Sequence, residues 1–191
     1  LLIESNISTI SSVKPYTPLE LEGRDLYIRE GCNNCHSQMI RPFRSETERY
    51  GEYSKAGEFV YDHPHLWGSK RTGPDLHRIG EKYSSSWHYN HMYDPTMTSP
   101  GSIMPAYKWM FTDNLSTKYT KSKIKAMITL GVPYTDLEYK NAVEDLNIQA
   151  EKIAIELNEQ LQNPIVKIDK NKEIIALIAY LQRLGTDIKT K

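Results

Sequence analysis

The sequence predicts a mainly α-helical fold in which long loops surround a bound group. Apolar residues recur at helical spacing in four segments, and proline or glycine stands near the ends of these segments. Residues 39–110, in contrast, are rich in Gly, Pro, Tyr, Trp and His and show little periodicity. Such a length without regular structure is unusual in a compact domain unless a cofactor supplies the core. A chain of 191 residues can bury one core, and nothing in the sequence requires two domains.

The first two stretches are an irregular arm and a helix. Residues 1–18 contain Ser, Thr and two prolines, and they are predicted to form an entry arm. The pair Thr17-Pro18 is a helix-start signal, because proline is favoured in the first helical turn. We therefore predict a helix from Leu19 to Gln38.

Three further helices are predicted in the C-terminal third of the chain. A short helix from Lys121 to Leu130 is stopped by a glycine and a proline. Residues 135–162 form a charged, amphipathic helix, which we interpret as a solvated lid over the core. The last helix extends from about Lys170 to Leu184 and is followed by Gly185. The apolar positions that define the last two helices are Leu137, Val143, Leu146, Ile153, Ile155 and Leu157, and then Ile174, Leu177, Ile178 and Leu181.

Charge and hydropathy exclude several functional classes. The chain has 24 basic and 24 acidic residues, so no overall positive field favours nucleic acid as a partner. It contains no apolar run of 18 or more residues and no recognisable signal peptide. The start at Leu1-Leu2-Ile3 is typical of a cut or processed end, which leaves room for a membrane anchor upstream.

The most informative motif is Cys32-Asn33-Asn34-Cys35-His36, which contains the only two cysteines. This is the attachment signature of a c-type haem. Two thiols three residues apart can add to the two vinyl groups of one porphyrin, and the histidine that follows can reach the iron. Residues three and four apart are neighbours on a helix, so all three side chains would share one face. Because such haems are attached outside the cytoplasm in bacteria, the motif also predicts an extracytoplasmic domain.

Two other interpretations of the motif remain open. A thioredoxin-like dithiol would normally follow a strand in a βαβ pattern, which this sequence lacks. A structural zinc site would need two more ligands, and the sequence has no further cysteines. The histidines that could contribute are more typical of packing or interface residues; they are His63, His65, His77, His88 and His91.

Two further elements could complete a haem site. Met104 lies in a loop braced by Pro100 and Pro105, and it is our candidate for the sixth iron ligand because a thioether stabilises ferrous iron. The alternative is that Met104 only fills the core, as methionines often do. A backbone carbonyl near Pro74 could accept a hydrogen bond from Nδ1 of His36, which would fix the orientation of the imidazole.

The motifs together resemble one family. Five segments carry the resemblance: Tyr27-Ile28-Arg29-Glu30-Gly31-Cys32-Asn33-Asn34-Cys35-His36-Ser37-Gln38-Met39-Ile40-Arg41-Pro42-Phe43-Arg44, Arg49-Tyr50-Gly51, Tyr61-Asp62-His63-Pro64, Trp67-Gly68-Ser69-Lys70-Arg71-Thr72-Gly73-Pro74-Asp75-Leu76 and Ser102-Ile103-Met104-Pro105. They are similar to the mono-haem cytochrome c subunit of cbb3-type cytochrome c oxidases, the FixO or CcoO type. The resemblance is dense over residues 14–131 and returns at 176–185. Residues 135–162 have no confident match.

The resemblance implies a class I cytochrome c fold with long loops around one covalently attached haem c. The extra charged helix before the last one, residues 135–162, departs from the family. It implies residues 1–18 as an arm after a missing membrane anchor and 19–191 as the cytochrome c domain. The expected partners are the haem-copper catalytic subunit and the other cytochrome c subunit of the oxidase, at the periplasmic face of the bacterial inner membrane. In this class the first and last helices cross, so we expect Gly23 or Leu26 to contact Leu177 or Tyr180.

The expected function is electron transfer toward the catalytic subunit, with no catalysis by this chain itself and with His36 and Met104 as axial ligands. We expect the haem propionates to be neutralised by Arg41, Arg44, Lys70 and Arg71, and to accept hydrogen bonds from Tyr83 or Trp87. Two alternatives stay open: a soluble electron shuttle, and a peroxidase-like haem enzyme whose distal site is open. In the enzyme, Met104 would lie away from the iron.

Overall fold

The structure is a computed structural model that describes residues 10–68, 70–161 and 167–189. Within these ranges it contains α-helices and two short 3-10 helices and no β-strand, which confirms the predicted mainly helical fold. The 3-10 helices are Ala56–Phe59 and Lys108–Phe111. The α-helices are α1 (Pro18–Arg29), α2 (Cys32–Cys35), α3 (Arg44–Tyr50), α4 (Ser85–Tyr93), α5 (Pro95–Thr98), α6 (Thr120–Thr129), α7 (Asp136–Leu161) and α8 (Glu173–Arg183).

Helix α1 begins where the sequence predicts. The Thr17 hydroxyl accepts a hydrogen bond from the Glu20 amide at 3.3 Å, and the Glu20 carboxylate accepts one from the Thr17 amide at 2.8 Å. The predicted end at Gln38 is wrong. Gly31 has φ +71°, a left-handed conformation that ends α1 and starts α2 as a separate turn. The haem motif therefore lies on its own short helix.

Helices α1 and α8 cross at close range, as the sequence predicts. A Cβ atom added at Gly23 would lie 1.9 Å from the carbonyl oxygen of Ala176 and 2.9 Å from Cβ of Tyr180. The Tyr27 and Tyr180 rings meet edge to face, with centroids 5.4 Å apart. Only glycine allows the two backbones to approach this closely, so Gly23 defines the crossing point.

Helix α7 is part of the core, which corrects its interpretation as a solvated lid. It packs against α1, α4, α6 and α8. Two of the leucines and isoleucines on which it was predicted, Leu137 and Ile155, are 66% and 49% exposed. Alanines take their place on the inner face, since small side chains bring α7 close to its neighbours. The buried residues of this helix are Ala142, Leu146, Ala150, Ala154 and Leu157.

Residues 39–110 contain more regular structure than the sequence suggests, because α3, α4 and α5 all lie there. These helices are short, and polar side chains cap the start of α4 and of α5. The Ser84 hydroxyl accepts a hydrogen bond from the Trp87 amide at the start of α4, and the Asp94 carboxylate accepts one from the Thr96 amide at the start of α5. Neither helix has an aliphatic stripe, so periodicity alone could not reveal them.

The predicted N-terminal arm is only partly visible, because residues 1–9 lie outside the described ranges. Val13 is buried, and the Tyr16 ring lies 5.7 Å from that of Tyr180. In the described ranges, none of the helices has the length and apolar character needed to cross a membrane.

Candidate haem site

A cavity of about 570 Å³ lies between α2, α4, α8 and the loop 99–105. Its volume falls within the range typical of cofactor pockets. Cys32, Cys35 and His36 line one side of it, and Met104 lines it from the loop. The folded chain thus brings together the four residues that the sequence analysis singled out, although 68 positions separate the histidine from the methionine.

The two cysteines differ in exposure. Cys32 is buried and Cys35 is exposed, and both are free thiols. Burial raises the pKa of the Cys32 thiol to about 12. A reactive dithiol centre needs a thiolate near neutral pH, so this raised pKa argues against the thioredoxin-like interpretation.

The imidazole of His36 is held in one tautomer. Its Nδ1 lies 2.8 Å from the carbonyl oxygen of Pro74, the contact predicted from the sequence. Because a carbonyl oxygen can only accept, Nδ1 must carry the proton, and Nε2 keeps a free lone pair. Burial lowers the pKa of His36, while the hydrogen bond to Pro74 opposes that shift. A neutral imidazole with Nε2 unprotonated is the form that binds iron.

Residues 72–76 lie directly against the haem motif. The Gly73 amide donates to the carbonyl oxygen of Cys35 at 2.9 Å, and the Leu76 amide donates to that of Ser37 at 2.8 Å. A Cβ atom added at Gly73 would lie 2.2 Å from Cε1 of His36. This glycine therefore leaves the space that the imidazole occupies.

The Asp75 carboxylate holds residues 72–76 in place through hydrogen bonds. Its carboxylate accepts hydrogen bonds from the Ser37 hydroxyl at 2.6 Å, from the Met39 amide at 2.9 Å and from the His77 amide at 2.8 Å. Two of these donors belong to the segment that directly follows the haem motif, and the third belongs to the loop that carries Asp75 itself. Asp75 thus joins the chain after His36 to the chain that carries Pro74.

Met104 is half-buried, and its amide donates to the Ser102 hydroxyl at 3.2 Å. A second methionine, Met92 on α4, also lines the cavity and is 7% exposed. The sequence analysis named Met104 alone as the candidate ligand. The structure thus gives the cavity two thioethers, of which only Met104 lies on a loop with prolines.

The basic residues predicted to neutralise propionates lie elsewhere. Arg41, Arg44, Lys70 and Arg71 are not among the residues that line the cavity. The three arginines pair with carboxylates outside the cavity. Arg41 and Arg71 pair with Glu46, and Arg44 pairs with Glu48 at 2.6 Å. Lys70 is exposed.

Two other cations line the cavity instead. They are Arg49, whose guanidinium lies over the Tyr50 ring, and Lys82, whose ammonium lies over the Tyr83 ring. The sequence analysis missed both as cavity residues, although Arg49-Tyr50-Gly51 is one of the family motifs that it recognised. A cation next to an aromatic residue within such a motif is the signal that could have found Arg49.

Helix α4 and Tyr83, which lies two residues before it, supply an aromatic wall. The rings of Tyr83 and Trp87 stack with centroids 4.1 Å apart, and those of Trp87 and His91 stack at 4.6 Å. All three residues line the cavity, as does His88. Tyr83 and Trp87 thus lie where the sequence analysis expected them. His63, His65 and His77 are not among the lining residues.

The residues present fit a haem c. Two thiols and an adjacent imidazole lie on one wall, Gly73 makes room for the imidazole, and the rest of the lining is mostly apolar or aromatic. In the part of the chain that the structure describes, no three His, Cys, Asp or Glu side chains are grouped so that they could hold a metal ion. The fit therefore favours a haem over the tetrahedral zinc site.

Comparisons with known proteins agree with this geometry. A search of curated proteins finds no match. The sequence matches the family described as "Cytochrome C oxidase, mono-heme subunit/FixO" over residues 1–188. This match covers nearly the whole chain. The protein therefore belongs to the FixO family of mono-haem cytochrome c oxidase subunits.

Proposed function

We propose that this chain is the electron-transfer haem c subunit of a cbb3-type cytochrome c oxidase, and that it passes electrons toward the haem-copper catalytic subunit. The observation that carries the proposal is the shared cavity of Cys32, Cys35, His36 and Met104. The family supports one haem and an oxidase as its context. The covalent attachment, the axial ligands and the direction of electron flow are the proposed details.

Each residue has one role in the proposal. Cys32 and Cys35 would hold the haem through thioethers, and His36 and Met104 would occupy the two axial positions. A haem bound in this way supplies a one-electron carrier, and a methionine ligand raises its reduction potential. The Pro74 carbonyl keeps His36 in the tautomer that binds iron. The buried, mostly apolar wall limits the access of water, which keeps reorganisation small.

We further propose that Arg49 and Lys82 neutralise the propionates, because these cations line the cavity. The partners would be the catalytic subunit and the other cytochrome c subunit, at the periplasmic face of the bacterial inner membrane. The family supports an oxidase partner in general terms. A membrane anchor outside the described helices would hold the domain there.

A second candidate is a haem enzyme with an open distal site. It is favoured by one observation, which is that the imidazoles of His88 and His91 line the cavity and offer polar distal groups. In that case Met104 would not bind the iron, and the ferrous protein would bind carbon monoxide at once. The electron-transfer proposal requires both axial positions to be filled.

The test uses the chain expressed together with a haem c attachment system. We expect a reduced-minus-oxidised spectrum of one low-spin c-type haem that resists acid-acetone extraction and changes little with carbon monoxide. Cys32→Ala with Cys35→Ala should lose the covalent haem, whereas Ser116→Ala on the exposed surface should keep it. Prompt binding of carbon monoxide would support the enzyme instead. Failure of the wild-type chain to co-purify with an oxidase catalytic subunit would support the soluble shuttle.

A further inference from the structure

His88 has an unsatisfied nitrogen in the wall of the cavity. The residue lies on α4 and is only 1% exposed. Its Nε2 is buried and has no hydrogen-bond partner, and the side chain lines the cavity. Leaving a buried polar group without a partner costs about 1–3 kcal/mol. Because the side chain lines the cavity, a group bound there could supply the missing partner.

The other buried histidine shows the contrast. His77 is 4% exposed, but Nδ1 contacts the Ser54 hydroxyl and Nε2 lies 3.4 Å from the Glu58 carboxylate. Its ring nitrogens thus find partners within the protein, and it does not line the cavity. Of these two histidines, only His88 combines burial, an unpartnered nitrogen and a position in the cavity wall.

The aromatic wall holds the His88 ring in place. Trp87 and Tyr83 meet it edge to face, with centroids 5.3 and 6.3 Å away. Burial lowers the pKa of His88 to about 4, and the neighbouring His91 adds to this effect. The imidazole is therefore neutral near pH 7, and it can act as a hydrogen-bond donor without adding a positive charge to the cavity.

A haem offers few partners for such a donor. Its edge is hydrocarbon except for the two propionate carboxylates, and its iron is assigned to His36 and Met104. We propose that Nε2–H of His88 donates a hydrogen bond to a haem propionate; this inference rests on the proposed function. Lys82 would supply a positive charge on the same wall, whereas the N–H group of His88 would fix the direction of the hydrogen bond to the propionate. His88 is thus a positioning residue that sets where the propionate edge of the ring lies.

The experiment measures the propionates directly. Holoprotein carrying haem labelled with ¹³C at the propionate carboxyls is studied by redox-induced infrared difference spectroscopy. We expect His88→Leu to shift the label-sensitive carboxylate bands, and His88→Gln, which keeps an N–H donor, to shift them less. His77→Gln, a buried histidine outside the cavity, should leave them unchanged. Identical bands in wild type and His88→Leu would overturn the proposal.

A second measurement needs no variant. In the reduced, diamagnetic wild-type protein, the Nε2 proton of His88 should exchange slowly and show nuclear Overhauser contacts to a propionate methylene. Absence of a protonated Nε2 near the propionate would also overturn the inference. A wild-type protein without covalently bound haem would instead refute the proposed function, so the two failures are distinguishable.

Discussion

Gly73 and His36 are in such close contact that no side chain larger than hydrogen fits between them. The added Cβ atom would lie 2.2 Å from Cε1, 2.7 Å from Nδ1 and 2.8 Å from Nε2 of the imidazole. The same segment carries the Pro74 carbonyl that accepts the hydrogen bond from Nδ1–H. The position of the proposed iron ligand is therefore set by a backbone that passes directly beside it.

We predict that Gly73→Ala displaces the His36 ring and weakens its hydrogen bond to Pro74. The holoprotein should lose part of its low-spin spectrum, and the reduction potential should change because the ligand is less well oriented. Visible spectroscopy and potentiometric titration measure both effects. Lys70→Ala, an exposed position in the same segment, is the control. A wild-type spectrum and potential in Gly73→Ala would contradict the prediction.

The two methionines in the cavity can be separated by substitution. We predict that Met104→Ala abolishes the weak charge-transfer band between methionine sulfur and ferric iron at the red end of the spectrum, because the ligand is lost. Met92→Leu should retain the band, since leucine replaces only the packing of a buried side chain. The reverse pattern would make Met92 the sixth ligand.

The crossing of α1 and α8 should not tolerate a methyl group. We predict that Gly23→Ala lowers the free energy of unfolding by about 1–3 kcal/mol or more, because the new Cβ would overlap the Ala176 carbonyl oxygen. For a chain of this size the melting temperature should fall by about 2–4 °C per kcal/mol. Ile28→Ala on the exposed side of α1 serves as the control. Equal melting temperatures for wild type and Gly23→Ala would argue against this crossing.

Glu46 should contribute stability that depends on pH. Hydrogen bonds from Arg71 and then from Arg41 lower the pKa of this carboxyl from 4.5 to about 2. A depressed pKa stabilises the fold above the unfolded value, and this contribution is lost as the pH falls from about 4.5 to about 2. Wild type should thus be more stable than Glu46→Gln at pH 7, and the gap should narrow in that acid range. Melting curves at several pH values test this, and a gap independent of pH would disprove it.

Sequence reasoning succeeded where one side of an element meets the protein core. The Thr17-Pro18 signal gives the start of α1 but not its end. The glycine and proline after α6 and the apolar spacing of α8 give the positions of these two helices to within a few residues. The haem motif could be recognised in the sequence because haem attachment requires a fixed spacing between the two cysteines and the histidine. Ser84 was the one local signal for α4, whose residues face a cavity and each other.

Partners that are distant in the sequence could not be predicted. The four basic residues assigned to the propionates were chosen from their place near the motif, but Glu46 and Glu48 engage three of them. The Arg71–Glu46 pair joins residues that are 25 positions apart, and it depends on how the loops return. The pairs Arg41–Glu46 and Arg44–Glu48 are local and were overlooked. The role of α7 was missed for a related reason, because its alanines are inconspicuous until a neighbouring helix packs on them.

The packing of α7 has a consequence for how the holoprotein is made. This helix contacts α1 and α8 as well as α4, so it links the crossing helices to the wall that carries His88. These contacts consist of protein atoms alone, including Leu146, Ala150 and Leu157 in the main core cluster. Much of the scaffold is therefore held together by contacts that need no cofactor atom. At this scaffold Cys35 is exposed and Cys32 is buried, so the two sulfurs of the proposed attachment site differ in accessibility to a haem and to the machinery that would attach it.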